Sequence, residues 1–307
     1  MSVRILTTGG TIASLPHPES GTKRPAVSGE ELVASVPGLA DIADVDVEEV
    51  AAQSSWNLAP GHMLEVARRA AEALEEPDVD GVVVTHGTDT LEETAFLIDV
   101  TLRSDGPVVV VGAMRSPDEH SADGPRNLLN AARWARKLDT GLVSAFGSPR
   151  HAALGRVEPD EVELLFVPPR GFTIDPPAEL AHPVPLVSTY PGMDGAVIEA
   201  VLDTTDAAGL VVEGTGSGNV PGTAVDGIRG ALDSGLPVVL ATRVLGGATR
   251  SGYGSPGGGA ALRELGAVSA GPLSAGKARL LLMVLLSSGL SGEDAAREFR
   301  AAVATFR

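Results

Sequence analysis

The stretch Gly81-Val82-Val83-Val84, followed by Thr85-His86-Gly87-Thr88-Asp89-Thr90, constrains this chain more than any other. A run that apolar and β-branched reads as a strand buried on both faces. The next residues, Leu91-Glu92-Glu93-Thr94-Ala95-Phe96-Leu97-Ile98, read as a helix. Thr90 stands at the N-cap position of that helix and Glu93 three residues on, so the pair predicts a capping box. A buried strand that turns tightly into a helix belongs to a parallel α/β sheet, and such sheets bind ligands outside the carboxyl ends of their strands. A turn crowded with His86, Thr88 and Asp89 at that place points to chemistry.

The same alternation runs through the first half of the chain. Residues 3–7 read as a strand that ends in Thr8-Gly9-Gly10-Thr11, where two glycines allow a sharp turn and a close backbone approach. Residues 15–28 carry prolines and charges in no period and read as a loop long enough to be a lid. A short helix is predicted over 30–36 and a strand over 45–50, ending in Gln53-Ser54-Ser55-Trp56. Pro60 opens a helix with Met63, Val66, Ala67, Ala70 and Leu74 on one face. Strands over 107–111 and 142–146 flank a helix that Asp123 can cap, with Leu128, Leu129, Ala132 and Leu138 inward. This order predicts a wound parallel sheet.

Prolines at 168, 169, 176, 177, 183, 185 and 191 then mark a boundary. The expected organisation is an N-terminal catalytic α/β domain over 1–177, a proline-rich linker over 178–193 and a smaller C-terminal α/β domain over 194–307. In the last, helices are predicted near 195–202, 221–233, 276–288 and 292–306, with strands over 209–213 and 237–241. The glycine run 214–218 lacks the spacing of a dinucleotide fingerprint.

The formal charge of −17 argues against nucleic acid or an anionic membrane as partner. With no cysteine there is no disulfide, thiol nucleophile or thiolate metal site. The first ten residues do not read as a signal peptide, and the apolar run 280–286 is too short to span a bilayer. A cytoplasmic protein is expected. His86 and Asp89 alone make a weak metal site, so a structural role is expected for the pair and no metal or cofactor. His62, His151 and His182 read as surface or loop residues.

Three predicted strand ends therefore carry hydroxyls or a carboxylate: Thr11, Ser54 or Ser55, and Thr88 with Asp89. Any one of these alone is more often a helix cap than a catalyst. Together they suit a hydroxyl nucleophile, which needs a neighbouring base and backbone N–H groups to hold a developing oxyanion.

Thr8-Gly9-Gly10-Thr11-Ile12-Ala13 and Thr85-His86-Gly87-Thr88-Asp89-Thr90 resemble the two signature stretches of the bacterial-type L-asparaginases. Val111-Gly112-Ala113-Met114-Arg115, Ser121-Ala122-Asp123-Gly124-Pro125 and the second-domain stretch 253–259 extend the resemblance along the chain. It implies a two-domain α/β fold with a larger N-terminal flavodoxin-like parallel sheet and a smaller C-terminal α/β domain, assembled as a homo-oligomer (dimer or tetramer). It implies hydrolysis of asparagine to aspartate and ammonia, without cofactor, through an acyl-enzyme on Thr11. Thr88 would act with Asp89 in a second catalytic cluster, and Asp89 would bind the substrate amino group. Ser55, with Trp56 beside it, falls where the family binds the substrate carboxylate, Ser54 being the alternative. Ala113 falls at the wall near the leaving amide, and Asn219 where the second domain reaches a neighbouring site.

The chain departs from the family in three places, one of them Gly254, near which some members carry an acidic residue lent to the neighbouring subunit. The lysine of the second cluster falls on Glu158, and the lid tyrosine is replaced in a stretch holding Lys23 and Arg24. A glutamate inverts the charge a lysine would supply. Three readings follow: an asparaginase, a related hydrolase of another amide, lactam or ester, and a non-catalytic amino-acid-binding homologue.

Overall fold

The computed structural model describes residues 2–137, 142–144, 154–157, 162–166 and 171–306. Leu138, His151, Glu158 and the expected strand beyond residue 144 lie outside the described residues. The chain divides into two compact units between Ile174 and Asp175.

The first unit is built on five parallel strands: β1 (Ser2–Gly9), β4 (Asp44–Gln53), β5 (Val79–Thr85), β6 (Val108–Val111) and β7 (Leu142–Ser144). Their spatial order is β4-β1-β5-β6-β7. Counted within the sheet this is 2-1-3-4-5, the flavodoxin-like winding, whose topological switch point lies between β1 and β5. The valine runs explain why the sheet is central. Val3, Ile5, Val83, Val109 and Val111 pack on one face and Leu6, Val82, Val84, Val108 and Val110 on the other. This strict alternation puts apolar side chains into both layers, and each fully buried valine contributes about 1.5–3 kcal/mol.

One layer is formed by α1 (Gly29–Ala34), α2 (Leu39–Ile42) and α5 (Gly124–Lys137), the other by α3 (Pro60–Glu75) and α4 (Leu91–Thr101). In α3, Pro60 occupies the first turn and Met63, Val66, Ala67 and Ala70 are buried, as the periodicity predicts. His62 is tied into that first turn: its Nδ1 accepts the Ala59 N–H at 3.3 Å.

The predicted loop over 15–28 contains a hairpin. Strands β2 (Ser14–Pro16) and β3 (Lys23–Pro25) pair antiparallel, with Ser14 opposite Pro25. A capping box at Ser28 and Glu31 then starts α1. The stem is closed by Ala13, whose carbonyl accepts N–H groups from both Ala26 and Val27. From the far strand, the Lys23 ammonium reaches Ser116 and Glu119, with Asp118 at 3.6 Å. The lysine hydrogen bond, helped by Ser116, holds Glu119 down at about 2. A second antiparallel pair, β8 (Gly155–Val157) and β9 (Val162–Leu164), packs Val157 and Val162 into the core beside α5.

The second unit carries a four-stranded parallel sheet in the order β10 (Leu186–Ser188), β11 (Leu210–Gly214), β12 (Val238–Thr242) and β13 (Val268–Ser269). Its helices are α6 (Ala196–Thr204), α7 (Val225–Asp233), α8 (Gly259–Glu264), α9 (Ala275–Ser287) and α10 (Gly292–Val303). β10 lies within the stretch expected as a linker. Pro183 and Pro185 precede it, and a proline is tolerated just ahead of an edge strand. The run 280–286 is the buried centre of α9. Among the described residues, no helix is long and apolar enough to cross a membrane.

Candidate active site

Thr11 opens a short 3-10 turn directly after β1, and the chain reaches it through two glycines with positive φ, 96° at Gly9 and 83° at Gly10. The turn is anchored on three sides. The Gly10 N–H donates to the Gln53 carbonyl at the end of β4, at 3.2 Å. The Gly10 carbonyl accepts from the Ser14 hydroxyl at 2.8 Å. The preceding Thr8 hydroxyl donates to the Thr85 carbonyl at the end of β5, also at 2.8 Å. Thr11 itself is half-buried, and its hydroxyl has no hydrogen-bond partner among the described residues.

The glycines show how closely the strand ends converge. A Cβ on Gly10 would fall 2.4 Å from the Gly87 Cα, and one on Gly87 would fall 2.6 Å from the Ser55 Oγ. A Cβ on Gly112 would meet the His86 carbonyl at 2.6 Å and the Thr88 methyl at 3.1 Å. One on Gly124 would meet Ile12 at 2.8 Å and Ala113 at 3.6 Å. The turns carrying Thr11, Ser55, Thr88 with Asp89, and Ala113 are thus in mutual contact at the carboxyl edge, around the switch point. Thr88 is half-buried, Asp89 is exposed and Ala113 is buried.

Of the two candidate serines, Ser55 is the one against Gly87. Its Oγ is buried with no hydrogen-bond partner among the described residues. A buried hydroxyl left without a partner costs about 1–3 kcal/mol, a state Ser55 shares with Thr7 and Thr85 nearby. Trp56, next in the same short turn, is 68% exposed. Asn219 lies in the second unit. Its Oδ1 accepts the Gly259 N–H at 3.2 Å and its own carbonyl accepts from Thr215 N at 2.8 Å.

Two expected caps have other uses. Thr90 makes no side-chain cap bond to α4. Its ψ is 16°, whereas the capping Ser28 has ψ 161°, so the Thr90 hydroxyl is turned away from its own helix. It donates instead to the Ser55 carbonyl at 2.9 Å. A missing threonine cap costs a helix about 1 kcal/mol, so the position favours the site turn over the helix. Asp123 likewise accepts N–H groups from Met114, at 3.0 Å, and Arg115, at 2.8 Å, and the Asn127 amide at 3.0 Å. Burial pushes its carboxyl up, but these donors outweigh it and hold the pKa below its ordinary value. The Asn127 amide also donates to the Gly112 carbonyl, so the pair clamps the turn that carries Ala113. The Asp-x-x-x-Asn spacing was the one available signal for this clamp.

His86 is fully buried. Its Nδ1 lies 2.8 Å from the Gly87 carbonyl and its Nε2 2.8 Å from the Thr94 hydroxyl. A carbonyl only accepts, so Nδ1 carries the proton and Nε2 accepts from Thr94. Both ring nitrogens are thus used to shape the turn, in keeping with a structural role. Burial lowers the His86 pKa below 6.5, against a smaller opposing effect of the Gly87 bond. The native state therefore refuses a proton that the unfolded chain accepts. This contribution to stability is complete above pH 6.5 and is lost as pH falls from there toward the depressed native value. 15N-histidine spectra over a pH series are expected to show the His86 ring taking up its proton at lower pH in the folded protein than in the urea-unfolded chain, and the reverse order would contradict the assignment.

The family profiles described as Asparaginase, N-terminal, and Glutaminase/Asparaginase C-terminal domain match residues 2–136 and 183–299. The chain belongs to the asparaginase family. It is 33% identical to L-asparaginase 2 of Bacillus subtilis (strain 168) over 93% of this chain and 82% of that protein. It is equally identical to L-asparaginase 2 of Escherichia coli (strain K12), over 93% and 89%. The crystal structure of the probable cytoplasmic L-asparaginase from Campylobacter jejuni superposes with a TM-score of 0.84 at 28% identity, covering 99% of both chains. As an asparaginase-family protein the chain is an amidohydrolase, and its two α/β units are those of that family.

Proposed function

We propose that this amidohydrolase converts L-asparagine to L-aspartate and ammonia through an acyl-enzyme on Thr11. The observation that carries the reading is the packing of four strand-end turns, which gathers a threonine and a serine hydroxyl, neither with a partner among the described residues, and an exposed carboxylate around one switch point. In the first step the Thr11 oxygen adds to the side-chain carbonyl, the carbon–nitrogen bond breaks and ammonia leaves with a proton. In the second, water adds to the ester, the bond to Thr11 breaks and aspartate departs. Thr88, with Asp89, moves the proton and activates water. Asp89 also holds the substrate ammonium, an attraction strengthened wherever water is excluded. Ser55 donates its hydroxyl to the substrate carboxylate beside Trp56. Ala113 leaves room for the amide nitrogen.

Asn219 serves a neighbouring site in a homo-oligomer, a dimer or tetramer in the cytoplasm. The alternative of another amide, lactam or ester rests on Glu158, which lies outside the described residues, and on the lid stretch that carries Lys23 and Arg24 in place of a tyrosine. Ammonia release from L-asparagine and L-glutamine by the purified protein tests the substrate, with faster release from asparagine expected. Folded protein that releases none from asparagine overturns the assignment, and light scattering measures the oligomer.

A further inference from the structure

We propose that Thr90 is a positioning residue for substrate recognition, because its hydroxyl fixes the Ser55 carbonyl and so sets the direction of the Ser55 hydroxyl. This rests on the reading that Ser55 holds the substrate carboxylate. Ser55 is pressed on one side by Gly87, and among the described residues its side chain has no hydrogen bond of its own to hold it. Its place is therefore decided by its backbone. The Ser55 carbonyl receives two donors, the Leu58 N–H at 3.1 Å, which closes its local turn, and the Thr90 hydroxyl at 2.9 Å. Only the second links it to another part of the chain. Thr90 directly follows Asp89 in the β5–α4 turn. One hydroxyl thus couples the turn that would grip the substrate ammonium to the turn that would grip its carboxylate. The distance between those two groups is fixed in an amino acid, so the two turns must be fixed in the protein.

The Thr90 backbone supports this. With ψ at 16° the residue is outside the extended conformation that capping requires, and its hydroxyl is committed to a carbonyl 35 residues away. Valine at this position keeps the shape and removes the bond. Serine keeps the bond and removes a methyl group.

The test is steady-state kinetics of ammonia release from L-asparagine for Thr90→Val, Thr90→Ser, Ser55→Ala and the Thr90→Val/Ser55→Ala double variant. Misplacing a binding group by a fraction of an ångström to an ångström costs on the order of ten- to a hundredfold, so Thr90→Val is expected to raise KM by about tenfold or more, with kcat changed by less than about threefold. Thr90→Ser restores KM. The double variant is no worse than Ser55→Ala alone, because the two residues act through one contact. A merely structural residue would lower the melting temperature without this split and without serine rescue. If Ser55→Ala raises KM and Thr90→Val does not, Thr90 has no positioning role and the Ser55 assignment stands. If Ser55→Ala leaves KM unchanged, the Ser55 assignment falls and the role of Thr90 falls with it. Should the valine variant not fold, Thr90→Ala against Thr90→Ser decides the same question.

Discussion

Thr11→Ala is expected to lose ammonia release by at least about a thousandfold while remaining folded, because removing a nucleophile eliminates the covalent route and leaves only the contribution of binding and oxyanion stabilisation. The structure separates these two effects well. Thr11 is half-buried and its hydroxyl makes no hydrogen bond among the described residues, so no native bond is broken and no polar partner is stranded. The substitution should therefore change stability by no more than about 0.5–1 kcal/mol, the range for surface-type changes away from caps and cores. Thr11→Ser keeps an oxygen at the same place but frees its rotation, since a threonine side chain is stiffer at χ1, and should retain a measurable rate. Release from Thr11→Ala within about tenfold of the parent, with the fold intact, would move the nucleophile to another hydroxyl and remove the acyl-Thr11 mechanism.

The centre of the first unit's sheet was legible because β5 and β6 are short β-branched runs with no competing helical period. Residues 82–84 and 108–111 could be buried in no other way. What escaped was set by conformation, with no mark in residue type. The hairpin over Ser14–Pro25 follows no period and each of its strands ends in a proline, so its strands look like loop. The strand Leu186–Ser188 is three residues long and sits behind two prolines. In the site, Thr11, Ser55, Thr88 and Asp89 were visible as polar residues after strands and through family resemblance. Ser55 was favoured over Ser54 by resemblance, whereas the diversion of Thr90 from its helix had no mark in the sequence. A threonine before an acidic helix start looks the same whether it caps or not, and here a ψ value decides it. Asp123 repeats the lesson: its place before α5 suggests a cap, while its carboxylate holds the Ala113 turn.

Gly10→Ala is expected to be among the most damaging single-methyl changes in the first unit. Gly10 has φ 83° and ψ −174°, a conformation essentially confined to glycine. Holding alanine there costs about 1–3 kcal/mol. The added Cβ would also lie 2.4 Å from the Gly87 Cα and 2.5 Å from its nitrogen, both backbone atoms that cannot swing aside. Forcing the two turns apart adds the penalty of overpacking, about 1–3 kcal/mol, for a total of about 2–6 kcal/mol. Gly21→Ala is the control, since Gly21 has φ 67° but nothing within 4 Å of its Cβ position. That variant bears strain alone, about 1–2 kcal/mol. Urea unfolding of the two proteins measures the difference. Activity separates them further: spreading Gly10 from Gly87 moves Thr11 away from Thr88, so Gly10→Ala should lose turnover even where it is still folded, while Gly21→Ala keeps it. Equal stability losses in the two variants would mean that the turns are not packed as the glycine contacts require, and that the convergence of Thr11 and Thr88 does not depend on the absence of a side chain at Gly10.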